Sequence, residues 1–414
     1  MIKLKYLVVL ADGMADYPVP ELNGKTPLQV SKKTNMDRLA QLGEVGLVRT
    51  IPQGMPPGSD VANLSVMGYS PRQYYTGRSP LEAISIGVDL SLTDVSFRCN
   101  LVTLSDVSSI DGKIMVDYSA GEISTKEAQI LIQDLAKALN SLEINFYPGV
   151  SYRHLMVWHN GPAECRLTPP HDISDRPIGA YLPQGSGSDI LLDLMKKSWP
   201  VLENHPVNQA RKKLGLNPAN SIWFWGEGRK PNITGFTEKY GLKGSVISAV
   251  DLAKGLGISA GLKVINVPGA TGNIHTNFQG KARAVLEAFK AGDDFIYLHI
   301  EAPDEAGHQG DLKTKISAIE RIDAEVLELI LTELPKISTD YKLLLLPDHP
   351  TPITLKTHVA DPVPFVIYQN HKTNVIGATA VFDEIAAAGT GIFLEEGHRL
   401  MDRFIGNCSV LNGT

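Results

Sequence analysis

A chain of 414 residues, 43% hydrophobic and 20% charged, is too long for one ordinary core and too apolar for intrinsic disorder, so two globular domains are expected. Its formal net charge of -6 argues against a broad nucleic-acid surface, which needs clustered Lys and Arg, yet leaves room for a small anionic ligand held by a few arginines. Cys99, Cys165 and Cys408 are too few and too scattered for a disulfide framework or a metal finger, and they point to a reducing, cytoplasmic compartment.

In chain order, Tyr6–Ala11 reads as a buried first strand. Its apolar run is too short for the core of a signal peptide, and no later stretch is long enough to span a bilayer, so no membrane partner is expected. Asn35–Leu42 has helical spacing and Gly43–Ile51 an extended pattern. A Gly/Pro-rich loop, Pro52–Gly58, precedes a short helix from Asp60 to Met67. Val95–Leu104, Lys113–Val116 and Leu155–Trp158 look like strands, and Thr125–Asn140 looks like a helix capped by Ser124 or Thr125. Asp189–Lys197 and Asn208–Leu214 look helical, and Ser221–Trp225 reads as the strand returning to the first domain. The remainder alternates: Ala249–Gly255 helical, Lys263–Val267 extended, Lys281–Phe289 helical, Asp294–Ile300 extended. Leu312–Leu334 reads as a long helix stopped by Pro335, and Tyr341–Leu346 as a strand. The expected architecture is an α/β domain with a largely parallel sheet covered by helices, formed by 1–90 and 216–414, and an inserted smaller α+β module at 91–215.

Three of these strands end in acids. Asp12 follows the first; Asp304 and His308 follow Asp294–Ile300; Asp348 and His349 follow Tyr341–Leu346. Open parallel sheets bind ligands outside the carboxyl ends of their strands, so these groups can converge, with His358 folding back from the next loop. Mixed carboxylates and imidazoles suit Mn²⁺ or Zn²⁺ better than Mg²⁺ alone, and six such groups suit two ions better than one. Each residue also has an ordinary role: Asp12-Gly13 as a turn, Asp304 in a solvated loop, the Asp348-His349 pair as surface. Their joint placement favours the shared site.

In the loop GMPPGSDVANLSVMGY, Ser59 stands where a helix begins, so free N–H groups and the helix dipole favour a phosphate there. The ordinary role is an N-cap; a neighbouring metal would instead activate it as a nucleophile. Ser65, mid-helix, is a weaker choice. Anionic substrates need arginine, which grips carboxylate and phosphate bidentately. The middle module offers Arg98, Arg153 with His154, His171 with Asp172, and Arg176; Arg78 and Arg229 stand beside glycines in turn-like segments. Taken singly, a solvated arginine is the commoner role of each.

With these residues in place, the sequence resembles the archaeal-type branch of the cofactor-independent phosphoglycerate mutases, within the alkaline phosphatase superfamily. The resemblance runs from Val9 to His358 through VLADGMAD, PPGSDVANLSVMGY, YTGRSPLEAISIG, FRCNL, MVDYSAG, FYPGVSYRH, HDISD, WFWGEG, HIEAPDEAGHQGD and LPDHPTPI with KTH. It implies an alkaline-phosphatase-like sheet with a substrate-binding cap. Ser59 would be the phosphorylated nucleophile; Asp12, Ser59, Asp348 and His349 would surround one metal, and Asp304, His308 and His358 would hold the other. Arg98, Arg153, His154, His171 and Asp172 would be the cap's substrate residues, with Arg229 beside them. A substrate lysine is implied as well, and Lys239 and Lys243 in EKYGLKG both qualify.

The implied reaction moves a phosphoryl group from 3-phosphoglycerate to Ser59 and back to the 2-oxygen, without 2,3-bisphosphoglycerate. Mn²⁺ is the first choice of metal, with Zn²⁺, Co²⁺ and Mg²⁺ open; the number of protomers is open too. The rival readings are a phosphomonoester hydrolase, another phosphoryl transferase, and an inactive metal-dependent binding module. No G-x-x-x-x-G-K-[ST] nucleotide loop is present, and neither Ser59 nor any of the metal-type residues is missing.

Overall fold

The apolar run Lys5–Ala11 becomes an inner strand of an eight-stranded sheet in the computed structural model of the chain, which describes residues 4–372 and 377–406. Cys408 lies outside the described residues. Across the sheet the strands run Lys263–Ile265, Gly244–Ile247, Phe295–Ile300, Lys5–Ala11, Tyr341–Leu346, Val363–Gln369, Glu44–Val48 and Phe393–Leu394. The first five pair in parallel, Val363–Gln369 is antiparallel to both its neighbours, and the last pair is parallel again. Strands buried on both faces need near-continuous apolar sequence, and Phe295–Ile300 is buried at every position. Helices supply the covering layers. Phe278–Lys290 buries Phe278, Ala282, Val285, Leu286 and Phe289, the spacing of one helical face, into the same core as Leu7, Val9, Leu298 and Leu343.

This sheet belongs to one of two compact units, Met1–Tyr75 with Ile233–Thr414; the other is Thr76–Asn232. The second unit is wider than 91–215 because Ser79–Ser85 packs on Val95–Leu104 and Ser221–Arg229 pairs with it. Val95–Leu104 is the hub of that unit's antiparallel sheet, buried at all its positions and bonded to Met115–Asp117, Arg153–Trp158 and Ser221–Arg229, while Ile144–Val150 pairs with Arg153–Trp158. The helix Thr125–Leu139 opens with a full capping box, in which Ser124 and Glu127 bond each other's backbone N–H.

Two expected elements are corrected. Ser221–Trp225 does not return to the first sheet: it extends to Arg229 and pairs antiparallel with Val95–Leu104. An apolar, aromatic strand fits any sheet interior, so its composition could not choose between the two. The long helix is not stopped by Pro335, which lies inside Glu328–Ile337. Proline there forfeits one N–H late in the helix, and Ser338 N–H still closes on the Leu334 carbonyl at 2.9 Å. Nor is the run a single α-helix, since Ile322–Leu327 is a π-helical turn. That turn holds buried Asp323, whose carboxylate accepts the N–H groups of Asn35 and Met36 at the start of the helix Thr34–Leu42. Ile144–Val150 carries no strand pattern in the sequence because Pro148 and Gly149 interrupt it; such residues are tolerated at a sheet edge, where the strand lies.

Candidate functional site

Strands Phe295–Ile300, Lys5–Ala11 and Tyr341–Leu346 are neighbours and run in the same direction. Their ends are level, with Ala11 opposite Ile300 and Leu10 opposite Leu346. Whatever follows each strand therefore meets at the carboxyl end of the sheet. Asp12 follows directly, Asp304 sits in the first turn of the helix Ala302–Gln309, and Asp348 and His349 open the loop after the third strand; all four are buried. Gly13 makes the crowding possible. It adopts a left-handed φ of +63°, and a Cβ there would stand 2.6 Å from the Asp304 Cα.

Asp304, His308 and His358 bring one ligand atom each to within 4.8 Å of one another, and so do Asp12, Asp304 and His349. Asp304 is common to both groups. Asp348 lies beside them, its Oδ2 3.4 Å from His349 Nε2, but Gly13 N–H and the Asn63 amide donate to its oxygens at 3.2 and 3.0 Å. Ser59 is the first residue of the helix Ser59–Val66, with Gly58 in the cap position, so capping is not its role. Its Oγ lies 3.0 Å from His349 Nε2, at the same cluster. Ser65 instead donates to the Thr50 carbonyl.

The donors fit divalent cations on three observations. Asp12 Oδ1 is buried with no hydrogen-bond partner, which only a cation or a donor can relieve. His308 Nδ1 stands 3.1 Å from the Lys356 carbonyl, an arrangement that places a proton on Nδ1 and turns Nε2 toward Asp304. His308 Nε2 and His358 Nε2 face each other at 2.8 Å, a separation that requires a shared proton or cation.

The charges are strongly interdependent. Burial, then the carboxylates of Asp348, Asp304 and Glu301, push Asp12 well above the usual carboxylate range. Asp304 moves the other way: burial opposes it, but hydrogen bonds from His308 and His358 hold it well below that range. Burial would depress His308 too, yet Asp304 outweighs it and brings the imidazole to about 9. His349 is depressed by burial.

Several contributors carried no distinct sequence signal. Buried His299 lies inside the strand Phe295–Ile300, with Nε2 3.0 Å from Asp12 Oδ2 and Nδ1 3.1 Å from Ser248 Oγ. Burial lowers it to about 4, so it is a neutral imidazole bracing Asp12. Its one visible mark is a polar residue in an apolar run, which ordinarily denotes a satisfied core histidine. Asn63, one helical turn beyond Ser59, donates to the Ser59 carbonyl and to Asp348, and accepts from Tyr297. Thr351 contacts both Asp304 and His349. Buried Lys315 pairs with buried Asp16 at 2.7 Å and donates to the carbonyls of Ala15 and Thr351.

The second unit gathers its own polar residues. Arg98 is buried, its Nε 3.0 Å from Glu82 Oε2, in a geometry too bent for a hydrogen bond, and its guanidinium lies 4.2 Å above the Trp225 ring. Burial lowers Arg98 to about 10, so it stays charged at neutral pH. Arg78 Nε donates to the other Glu82 oxygen, and the charge of Arg153 also acts on Glu82. Arg153 lies exposed over the Tyr152 ring, and His171 packs edgewise on Trp225 with Asp172 beside it. His154 is buried; Gly149 N–H donates to its Nδ1 at 2.9 Å, which leaves Nε2 to carry the proton, without a partner. Arg229 donates to the carbonyls of Thr93 and Gly161, and Arg176 stands near the Tyr181 hydroxyl. In the first unit, Lys239 donates to the Gly68 carbonyl over two tyrosine rings, whereas Lys243 is exposed.

A family model described as 2,3-bisphosphoglycerate-independent phosphoglycerate mutase matches residues 40–208. A relative from Geobacter sulfurreducens is 52% identical over 97% of this chain and 100% of its own. One from Methanothrix thermoacetophila, named 2,3-bisphosphoglycerate-independent phosphoglycerate mutase, is 51% identical over 96% and 98%. Among solved structures, a Pyrococcus horikoshii protein superposes with a TM-score of 0.81 at 30% identity, covering 100% of both chains. The cofactor-independent phosphoglycerate mutase of Thermoplasma acidophilum superposes with 0.61 at 25% identity, covering 97% and 99%. Among the described residues no helix is long and apolar enough to cross a membrane.

Proposed function

The chain belongs to the 2,3-bisphosphoglycerate-independent phosphoglycerate mutases, and from that premise we propose that it interconverts 3-phosphoglycerate and 2-phosphoglycerate through a phosphoserine at Ser59. This is the reversible step shared by glycolysis and gluconeogenesis. The observation that carries the reading is the Ser59 Oγ, 3.0 Å from His349 Nε2 at the edge of the buried Asp12, Asp304 and Asp348 cluster.

Asp12, Asp348 and His349 with Ser59 would hold one divalent ion, and Asp304, His308 and His358 the other. Such ions, when bound, neutralise charge on the phosphoryl and leaving oxygens. Mn²⁺ is the metal we assign first, with Zn²⁺, Co²⁺ and Mg²⁺ as alternatives; the imidazole donors beside the carboxylates count against Mg²⁺ alone.

Ser59 Oγ forms the new bond to phosphorus as the bond from phosphorus to the 3-oxygen breaks. The 2-oxygen of the same glycerate then takes the phosphoryl group, and the serine hydroxyl is regained. No water or cofactor is consumed, as an isomerisation requires. Ser59 stands at the start of Ser59–Val66, where the helix dipole would favour the negative charge of the transferring group, although Val61 N–H there is already bonded to Asp60 Oδ1 at 2.9 Å. Thr76–Asn232 acts as the substrate-binding cap. Arg98 and Arg153 would grip the carboxylate, with His171 and Asp172 beside them and Lys239 or Lys243 supplying a further cation; His154, buried, and Arg229, bonded to the Thr93 and Gly161 carbonyls, would support this lining rather than form its surface. A cytoplasmic location is part of the same reading, on the two buried free cysteines Cys99 and Cys165.

The test is phosphorus NMR of Mn²⁺-loaded protein with 3-phosphoglycerate and no 2,3-bisphosphoglycerate. Conversion to 2-phosphoglycerate with little free phosphate is expected. Free phosphate without isomerisation would make it a hydrolase instead. Ser59→Ala should lose the conversion; a variant keeping most of the wild-type rate would exclude the covalent route.

A further inference from the structure

Between the two candidate cation groups stands a hydroxyl that belongs to neither. Thr351 Oγ1 donates a short hydrogen bond to Asp304 Oδ1 and lies 3.2 Å from His349 Nδ1. Thr351 is fully buried, as is His349, and Asp304 is 5% exposed. A threonine hydroxyl has one proton, and a carboxylate can only accept it. With that proton committed to Asp304, the contact to His349 needs the imidazole proton on Nδ1, donated to Oγ1. The lone pair then lies on Nε2, which faces Ser59 Oγ at 3.0 Å, Asp348 Oδ2 at 3.4 Å and Asp12 Oδ1 at 3.5 Å, where a cation would sit between it and the carboxylates.

We propose that Thr351 is a positioning residue whose hydroxyl fixes the His349 tautomer and, through Asp304, ties the two cation groups into one geometry. The inference rests on the metal-site reading above. Residues that orient a metal ligand through its second polar atom hold both its rotation and its protonation state.

The threonine is itself held from behind. Lys315 Nζ, wholly buried, donates to the Thr351 carbonyl at 2.8 Å and pairs with Asp16, which in turn accepts the Ile353 N–H. The methyl side is packed as well: a Cβ added at Gly307 would stand 2.8 Å from Thr351 Cγ2. The methyl thus packs against Gly307 in the same rotamer that sets the hydroxyl on its two partners. Valine keeps both branches of the side chain and removes only the hydroxyl, so Thr351→Val isolates the hydrogen bonds from the packing. Serine restores the hydroxyl without the methyl.

Calorimetric titration of metal-free protein with Mn²⁺ tests this without reference to turnover. Wild type is expected to bind two ions. Thr351→Val is expected to weaken at least one of them by roughly 10- to 100-fold, and Thr351→Ser to recover most of the loss. Wild-type affinities in the valine variant would overturn the inference, and so would a serine variant as weak as the valine one, which would make the role one of packing. A wild type that binds no Mn²⁺ would instead overturn the metal site itself, and this inference with it. Nitrogen-15 NMR of metal-free, histidine-labelled wild type answers without a substitution at Thr351. His349, identified by the signal lost in His349→Asn, is expected as the Nδ1–H tautomer, and an Nε2–H signal would overturn the assignment.

Discussion

His154 makes the stability of Thr76–Asn232 sensitive to acid. The side chain is buried, and that burial lowers its pKa from 6.5 to about 3. Above the unfolded value both states are neutral and the group has no effect. As pH falls below it, the unfolded chain takes up a proton that the folded unit refuses, so stability is lost through that range until about pH 3. At 1.36 kcal/mol per pK unit, the loss from pH 8 to pH 5 is about 2 kcal/mol, rising to about 5 kcal/mol at pH 3. The four tryptophans, Trp158, Trp199, Trp223 and Trp225, all fall within Thr76–Asn232, so indole fluorescence reads the unfolding of this unit alone. Urea titrations at pH 8 and pH 5 would compare wild type with His154→Asn, whose carbonyl can still accept the Gly149 N–H. The variant will be weaker at pH 8 for loss of packing, but its drop between the two pH values should be smaller by about 2 kcal/mol. The other histidines titrate alike in both proteins and cancel. Equal drops, within about 0.5 kcal/mol, would refute the reasoning and mean that His154 is solvated or finds a partner when charged.

Asp12→Asn should stabilise the metal-free protein at pH 7 by about 1–3 kcal/mol, since an amide avoids the cost of a buried, acid-crowded carboxyl that the fold resists ionising; thermal melting shows this, with Mn²⁺ binding lost in parallel. Because Asp12 is raised in the fold, the gain should grow as pH rises and vanish near pH 4 and below, where the unfolded side chain is protonated too. Gly13→Ala places a methyl 2.6 Å from the Asp304 Cα at a φ of +63°, and a Mn²⁺ titration should show at least a roughly tenfold weaker site; unchanged affinity would mean the loop absorbs the methyl. Lys315→Met leaves Asp16 buried and uncompensated, for a cost of about 3–5 kcal/mol in denaturation followed by circular dichroism. A loss under about 1 kcal/mol would show that water enters to replace the lysine.

What the sequence by itself determined is local. Apolar runs ending in acids marked Asp12, Asp304, Asp348 and His349, because a buried strand needs near-continuous apolar sequence and the residues that follow it need not be apolar. Ser59 was marked by the glycine and helix start beside it. Tertiary structure alone decided which strands are neighbours, since pairing between Lys5–Ala11 and strands some 290 and 335 residues away leaves no trace in the composition of any of them. It also decided that Ser221–Arg229 joins Val95–Leu104. The supporting shell was hidden for the same reason: His299 reads as a core histidine and Thr351 as a loop residue until the partner that each one holds, Asp12 or Asp304, is brought to it from another part of the chain.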